Sequence, residues 1–111
     1  MLKKLYDSGI QIVAGTDQGS GYAFDRELEI YVESGLPAPQ ILSMATYQAA
    51  KLMKRDNELG SIASGKLADL VLVKGDPTAN IGDVRKVDLV VKGGAYYRPA
   101  ELYPAMGIRA P

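Results

Sequence analysis

The run Ile10-Gln-Ile-Val-Ala14 narrows the folds open to this chain more than any other feature. β-Branched residues over a strand's length predict a strand. It stops at a small residue, and the loop Gly15-Thr-Asp-Gln-Gly-Ser-Gly21 follows, with the acid Asp17 just past the strand end. Two helical patterns come next. Asp25 is placed to cap a helix running to about Ser34, with Phe24, Leu28 and Tyr31 or Val32 on one side and Gly35 as its stop. After Pro37 and Pro39, the positions Ile41, Leu42, Ala45, Ala49, Leu52 and Met53 predict one helix over Gln40 to Met53, buried on a broad face. Ahead of the strand, Leu2, Leu5 and Tyr6 share a face and Gly9 suits a stop, so the N-terminus reads as the end of a helix.

The second half has a different character. Lys54 to Gly60 is polar and loop-like, and Leu67 to Val73 reads as a strand. Gly75-Asp76-Pro77 is a turn. Val87 to Val91 is a further strand, Gly93-Gly94 a tight hairpin turn, and Ala95 to Arg98 the return. The tail Pro99 to Pro111 has three prolines and little periodicity.

Composition removes whole classes of function. At 111 residues the chain is at most one ordinary domain. Thirteen acids balance thirteen bases, and no basic run is interleaved with aromatics, so nucleic acid is not an expected partner. With no Cys there are no disulfides, zinc–thiolate sites or thiol nucleophiles. With no His the commonest metal ligand and neutral-pH base is missing. No apolar run reaches the roughly 20 residues that span a bilayer, so no membrane partner is expected. Met1 to Gly9 lacks the apolar stretch of a signal peptide.

Two stretches invite a chemical reading. Gly60-Ser-Ile-Ala-Ser-Gly65-Lys66 matches the spacing of a phosphate loop. Leu67 stands where a hydroxyl should reach Mg²⁺, and the stretch opens a strand instead of a helix. It reads as a turn feeding a strand, with Gly65 supplying a backbone angle other residues avoid. Asp17 is the better candidate, because functional groups of parallel barrels sit at the C-terminal ends of strands. The plain alternative is a turn Asp bonding nearby backbone amides. Tyr96, Tyr97 and Tyr103 read as packing and tail anchoring, Met44 and Met53 as helix core. Lys51, Lys54 and Arg55 suit a helix C-terminus.

The series GTDQG, RELEIYVESGL, PQILSMATYQAAKLM, ELGSIASGKLADLVLVKGDP and VDLVVKGGAYY, in that order, resembles the C-terminal part of metal-dependent amidohydrolases, in the branch of imidazolonepropionase-like and Xaa-Pro dipeptidase-type enzymes. Leu59 to Val71 is its most specific piece. The resemblance implies a fragment of an α/β fold: the end of a distorted (β/α)₈ barrel with strands of an accessory β-sandwich. Residues 1–58 would hold the last helix end, the eighth strand at Ile10 to Ala14 and two following helices; residues 59–98 would hold sandwich strands, and residues 99–111 the tail.

The resemblance also implies a role for each loop residue. Asp17 matches the family's acid after the eighth strand, a catalytic general base that contacts a metal or its water. Thr16 would support the loop through its hydroxyl, and Gln18 and Gly19 would lie on the substrate side. The cofactor implied is a divalent metal, zinc first, in a full-length parent. The remaining ligands would lie upstream, so none is expected to bind this chain stoichiometrically. The implied partners are the missing N-terminal part, a further copy of the chain in a homo-oligomer, and, in the parent, a small amide, cyclic amide or dipeptide substrate. A cytoplasmic location is favoured. Pro37 departs from the Ser or Thr that often caps the following helix. The reading of a different class is a non-catalytic structural or assembly module, and stoichiometric metal content separates the two.

Overall fold

The computed structural model describes residues 1–109. The elements in chain order are α1 (Leu2–Asp7), α2 (Gly21–Glu33), α3 (Ala38–Ala45), α4 (Tyr47–Leu52), β1 (Leu70–Val73), a 3-10 helix (Ile81–Arg85), β2 (Val87–Lys92), β3 (Ala95–Tyr97) and α5 (Pro99–Ala105). The chain is thus α/β, with helices first and one small sheet after.

Helix α2 starts five residues earlier than a cap at Asp25 would have it. The Ser20 hydroxyl accepts from the Ala23 amide at 3.3 Å, which satisfies an orphan donor of the first turn. Asp25 is therefore an interior residue of the helix. At the other end Gly35, at φ +99°, lets its amide reach Val32 O and the Leu36 amide reach Tyr31 O. That stop turns Leu36 into the core.

The single helix expected over Gln40 to Met53 is two. Thr46 leaves helical geometry at φ −128°, ψ −90°, and its hydroxyl donates to Leu42 O at 2.7 Å. A threonine that bonds back one turn bends a helix, and the apolar spacing continues across the break, so periodicity did not reveal it. Pro37 is the N-cap of α3 and makes no side-chain cap bond. Met53, just past α4, is 71% exposed and not core; Met44 is buried as its spacing predicts.

The core gathers Leu28 and Tyr31 of α2, Leu36 of the connection, and Ile41 and Met44 of α3. Ile81 joins them from the second half of the chain, so the packing crosses the boundary drawn at residue 59. Ile41 has no exposed surface. Burying such a side chain contributes about 1.5–3 kcal/mol relative to leaving it in water.

Ile10 to Ala14 does not form a strand. It runs extended over the helices, with Ile12 and Ala14 against the core and the Ala14 amide donating to Met44 O at 3.4 Å. A strand exists only where neighbours take its backbone groups, and among the described residues none lies alongside. The sheet is an antiparallel meander, β1-β2-β3, with Leu70 opposite Val91 and Val91 opposite Tyr96. A bulge between Leu72 and Val73 leaves Asp88 unpaired in the ladder. β1 begins three residues after Leu67, because the Leu67 amide donates to Glu58 O at 2.8 Å and closes a loop. Among the described residues there is one sheet and no facing layer, so the sandwich is not formed; Tyr96 is accordingly 74% exposed and Tyr97 also lies in solvent.

The tail, expected to be irregular, folds as α5. Pro99 sits at its start, where a missing amide costs nothing, and Pro104 falls in the last turn. Tyr103, on this helix, is half-buried. Ala110 and Pro111, the end of that tail, lie outside the described residues.

Two glycines with similar backbone angles have different surroundings. At Gly75, φ +100°, a Cβ would fall 2.2 Å from an oxygen of the buried Asp83; at Gly65, φ +87°, it would meet nothing. Gly65→Ala is expected to cost about 1–2 kcal/mol, the left-handed penalty alone. Gly75→Ala adds a clash with a carboxylate that the Asp76 amide needs at 2.9 Å, and should cost clearly more. Paired urea denaturation curves check the order; equal losses would show that the Asp83 clasp is soft.

Candidate functional site

The loop from Gly15 to Ser20 joins the extended segment to α2. It is a series of bends, and Asp17, Gln18 and Gly19 are exposed. The Thr16 hydroxyl accepts from the Gln18 amide at 3.2 Å, a short turn that lifts Asp17 to the outside. Asp17 makes no side-chain hydrogen bond among the described residues, so the plain reading of a turn Asp holding backbone amides does not describe it. The loop thus brings Thr16, Asp17, Gln18 and Gly19 together simply as neighbours in sequence.

Tyr31 of α2, which the sequence marks only as a possible core position, is buried in that core. Burial and then the Glu27 carboxylate push its phenol above the usual range, while the Gly15 amide acts in the opposite direction. The second missed feature is an ion-pair cluster on α2. Arg85 donates through Nε to Glu29 at 2.7 Å and through a terminal nitrogen to the other carboxylate oxygen at 3.3 Å. Asp25 lies 3.9 Å from the same guanidinium. Arg26 bonds Glu33 at 2.7 Å and Glu29 at 3.3 Å along the helix. The Arg85 hydrogen bond holds Glu29 below the usual carboxylate range, whereas burial outweighs Arg85 at Asp25 and raises it. Glu29 and Arg85 are 56 residues apart, so no local signal links them.

The phosphate-loop look-alike is closed on itself. The Lys66 ammonium donates to Asp56 O and to the Ser61 hydroxyl, the latter at 2.7 Å, and lies 5.6 Å from the Tyr47 ring centre. Gly60, at φ +91°, lies so close to α4 that a Cβ would come within 2.5 Å of Ala50 Cβ. Asp69, in the most specific piece of the sequence, accepts from Lys92 Nζ at 2.6 Å and from the Gly93 amide at 3.3 Å. These contacts hold it below the usual carboxylate range, and its work is to clasp the β2–β3 hairpin onto β1. A hollow of about 760 Å³ between α4 and the sheet is lined mainly by apolar side chains such as Leu59, Ile62, Leu70 and Leu72. None of its residues belongs to the Asp17 loop, and it holds no set of groups for acid–base work.

Among the described residues no three His, Cys, Asp or Glu side chains gather to hold a metal. Asp17 is chemically suited to give one oxygen to a hard or borderline cation, and a site needs about three or four protein ligands. No described helix is long and apolar enough to cross a membrane.

The chain is α/β, with an outward carboxylate between an extended segment and a helix, and its sequence gives its family. A model of the amidohydrolase family matches residues 1–96, and the chain belongs to that family. Its branch is that of imidazolonepropionases and Xaa-Pro dipeptidases. The imidazolonepropionase of Thermoanaerobacter pseudethanolicus is 33% identical over 76 residues, 64% of this chain and 18% of that enzyme. The adenine deaminase of Serratia proteamaculans is 51% identical over 45 residues, 40% of this chain and 7% of that enzyme. A solved Xaa-Pro dipeptidase with bound methionine in the active site superposes with a TM-score of 0.82 at 41% identity, over 87% of this chain and 24% of that one. The chain therefore spans a quarter or less of each of these relatives.

The opposite shifts of Asp25 and Glu29 give opposite expectations. A carboxylate held low contributes stability above its unfolded pKa and loses it as pH falls through the folded one. Glu29→Gln should therefore destabilise at neutral pH by about 0.2–1 kcal/mol, the range for an incompletely buried pair, and the deficit should close in acid. Asp25 is held high, so its charge opposes folding at neutral pH, and Asp25→Asn should be neutral or slightly stabilising there. Denaturant midpoints at neutral and acid pH check both.

Proposed function

We propose that this chain is the C-terminal portion of a metal-dependent hydrolase of C–N bonds, with Asp17 as its catalytic acid–base residue. The observation that carries the reading is the exposed, unengaged carboxylate on the glycine-rich loop after Ile10 to Ala14, in a chain of the amidohydrolase family. In the whole protein, Ile10 to Ala14 would be the eighth strand of a barrel whose neighbours lie outside this chain, and β1 to β3 would belong to an accessory sandwich. A divalent metal, zinc first, would lower the pKa of bound water towards about 7.

Asp17 would give one ligand oxygen or contact that water. As a general base it accepts the proton of the water that attacks the substrate's carbonyl carbon, and then returns it to the leaving nitrogen. The Thr16–Gln18 turn keeps its oxygens pointing outwards, and Gly15 and Gly19 leave room beside them. Gln18 and Gly19 face the substrate side. Likeness to a Xaa-Pro dipeptidase and to imidazolonepropionases supports a small amide, cyclic amide or dipeptide as substrate, and a cytoplasmic setting suits such metabolites. On this reading the 111-residue chain hydrolyses none of them alone, because one carboxylate holds no metal. In the full-length protein Asp17→Asn should lower kcat by roughly 10²–10⁴-fold, since an amide cannot accept the proton. Its melting temperature should stay that of the parent. Loss of fold without a specific catalytic defect would instead mark Asp17 as a turn residue.

A non-catalytic assembly role has its own support. The outer edge of β1 is unpaired among the described residues, and the apolar side chains of Ile62, Val71 and Leu72 are each more than half exposed. Unpaired edges template association. The isolated chain should form dimers or larger species at micromolar concentration, seen by light scattering across a dilution series. A compact monomer would remove that role.

A further inference from the structure

We infer that Arg85 is a positioning residue for Asp17, acting from the second half of the chain through α2. The inference rests on the reading of Asp17 as the site acid. Asp17 has no side-chain partner of its own among the described residues, so its direction is inherited from the two ends of its loop. One end is fixed by the Ala14 amide on Met44 O. The other is Ser20, which caps α2.

The direction of α2 is in turn set from outside. Leu28 and Tyr31 bury its inner face, but apolar contacts allow a helix to slide or turn about its axis. Among the described residues, the side-chain hydrogen bonds that leave α2 for another element are the two that Arg85 makes to Glu29. A planar guanidinium gripping both oxygens of one carboxylate fixes orientation as well as distance. Asp25, one turn nearer the loop, faces the same guanidinium.

Arg85 is itself held firmly. It ends a 3-10 helix whose first residue, Ile81, is buried in the core. The Asn80 side chain caps that helix by accepting from the Gly82 amide at 3.2 Å, and buried Asp83 ties it to the Asp76 amide. A rigid turn, a two-bond clamp and a capped helix thus connect residue 85 to a loop far away in sequence. Without the guanidinium, Asp25 loses its nearby cation and Glu29 keeps only Arg26 of its own helix, so no side-chain hydrogen bond among the described residues ties that face of α2 to the 3-10 helix.

Two arms test this. In the 111-residue chain, hydrogen–deuterium exchange of Arg85→Met should quicken several-fold over residues 15–29 while β1 to β3 keep their protection. In the full-length protein, assayed well below its melting temperature, Arg85→Met should lower kcat by about tenfold, within the 10²-fold that misplacing a reactive group by an ångström can cost, with KM nearly unchanged. Arg85→Lys, which keeps the charge but not the fork, should fall between, and it carries both readouts if Arg85→Met does not fold. Exchange that rises evenly over the whole chain, or kcat unchanged in both variants, overturns the inference. Asp17→Asn measured alongside separates the two failures: full activity there refutes the role of Asp17, whereas a large loss there with unaltered Arg85 variants refutes only the clamp.

Discussion

Everything in this chain leans on the contact between α2 and α3, sealed by one residue from far downstream. Leu28, Tyr31, Ile41 and Met44 leave a gap that Leu36 and Ile81 close. Two amphipathic helices expose too much apolar surface to be stable as a pair, and short helices are marginal in water. Ile81 supplies the missing cover, and it brings the 3-10 helix and Arg85 with it. The half of the chain that builds the sheet is thereby joined to the half that carries Asp17.

That arrangement separates two kinds of acid. Asp69, Asp76 and Asp83 are spent on structure: each accepts from backbone amides or a neighbouring lysine, and each is held below the usual carboxylate range. Asp69 clasps a hairpin, Asp76 takes the Thr78 amide at 3.0 Å, and Asp83 takes the Asp76 amide. Asp17 has no such occupation. A carboxylate kept exposed and unengaged on a short, turn-stabilised loop is available for chemistry with partners from elsewhere, and that contrast within one chain is why Asp17 is the candidate.

The elements differ in how much of themselves the sequence revealed. The Gly93-Gly94 hairpin was legible because two successive positive φ angles, +57° and +81°, demand those residues. The stop at Gly35 was legible for the same reason. The split of α3 from α4 was not, since Thr46 breaks the backbone through its own hydroxyl while the apolar period continues. The strand expected at Ile10 to Ala14 reads as a strand by residue type and lies extended, but a ladder requires neighbours that the described residues do not include. α5 was missed because prolines at a helix's first and last turns look, in sequence, like prolines in a coil.

By itself the sequence determined the local conformations, where glycine, proline and β-branching fix backbone angles, and the family, through the ordered series from Gly15 to Tyr97. It also pointed to Asp17, through the resemblance to that family, since an acid past a β-branched run and between glycines reads by itself as a turn residue as readily as a site. The tertiary structure decided what no short-range pattern encodes. Glu29 and Arg85 meet across 56 residues, Ile81 completes a core begun at Leu28, and Lys66 turns inwards to close its own loop. Such contacts depend on which surfaces remain to be buried and which charges remain to be paired once the helices have formed, and those are properties of the packed chain as a whole.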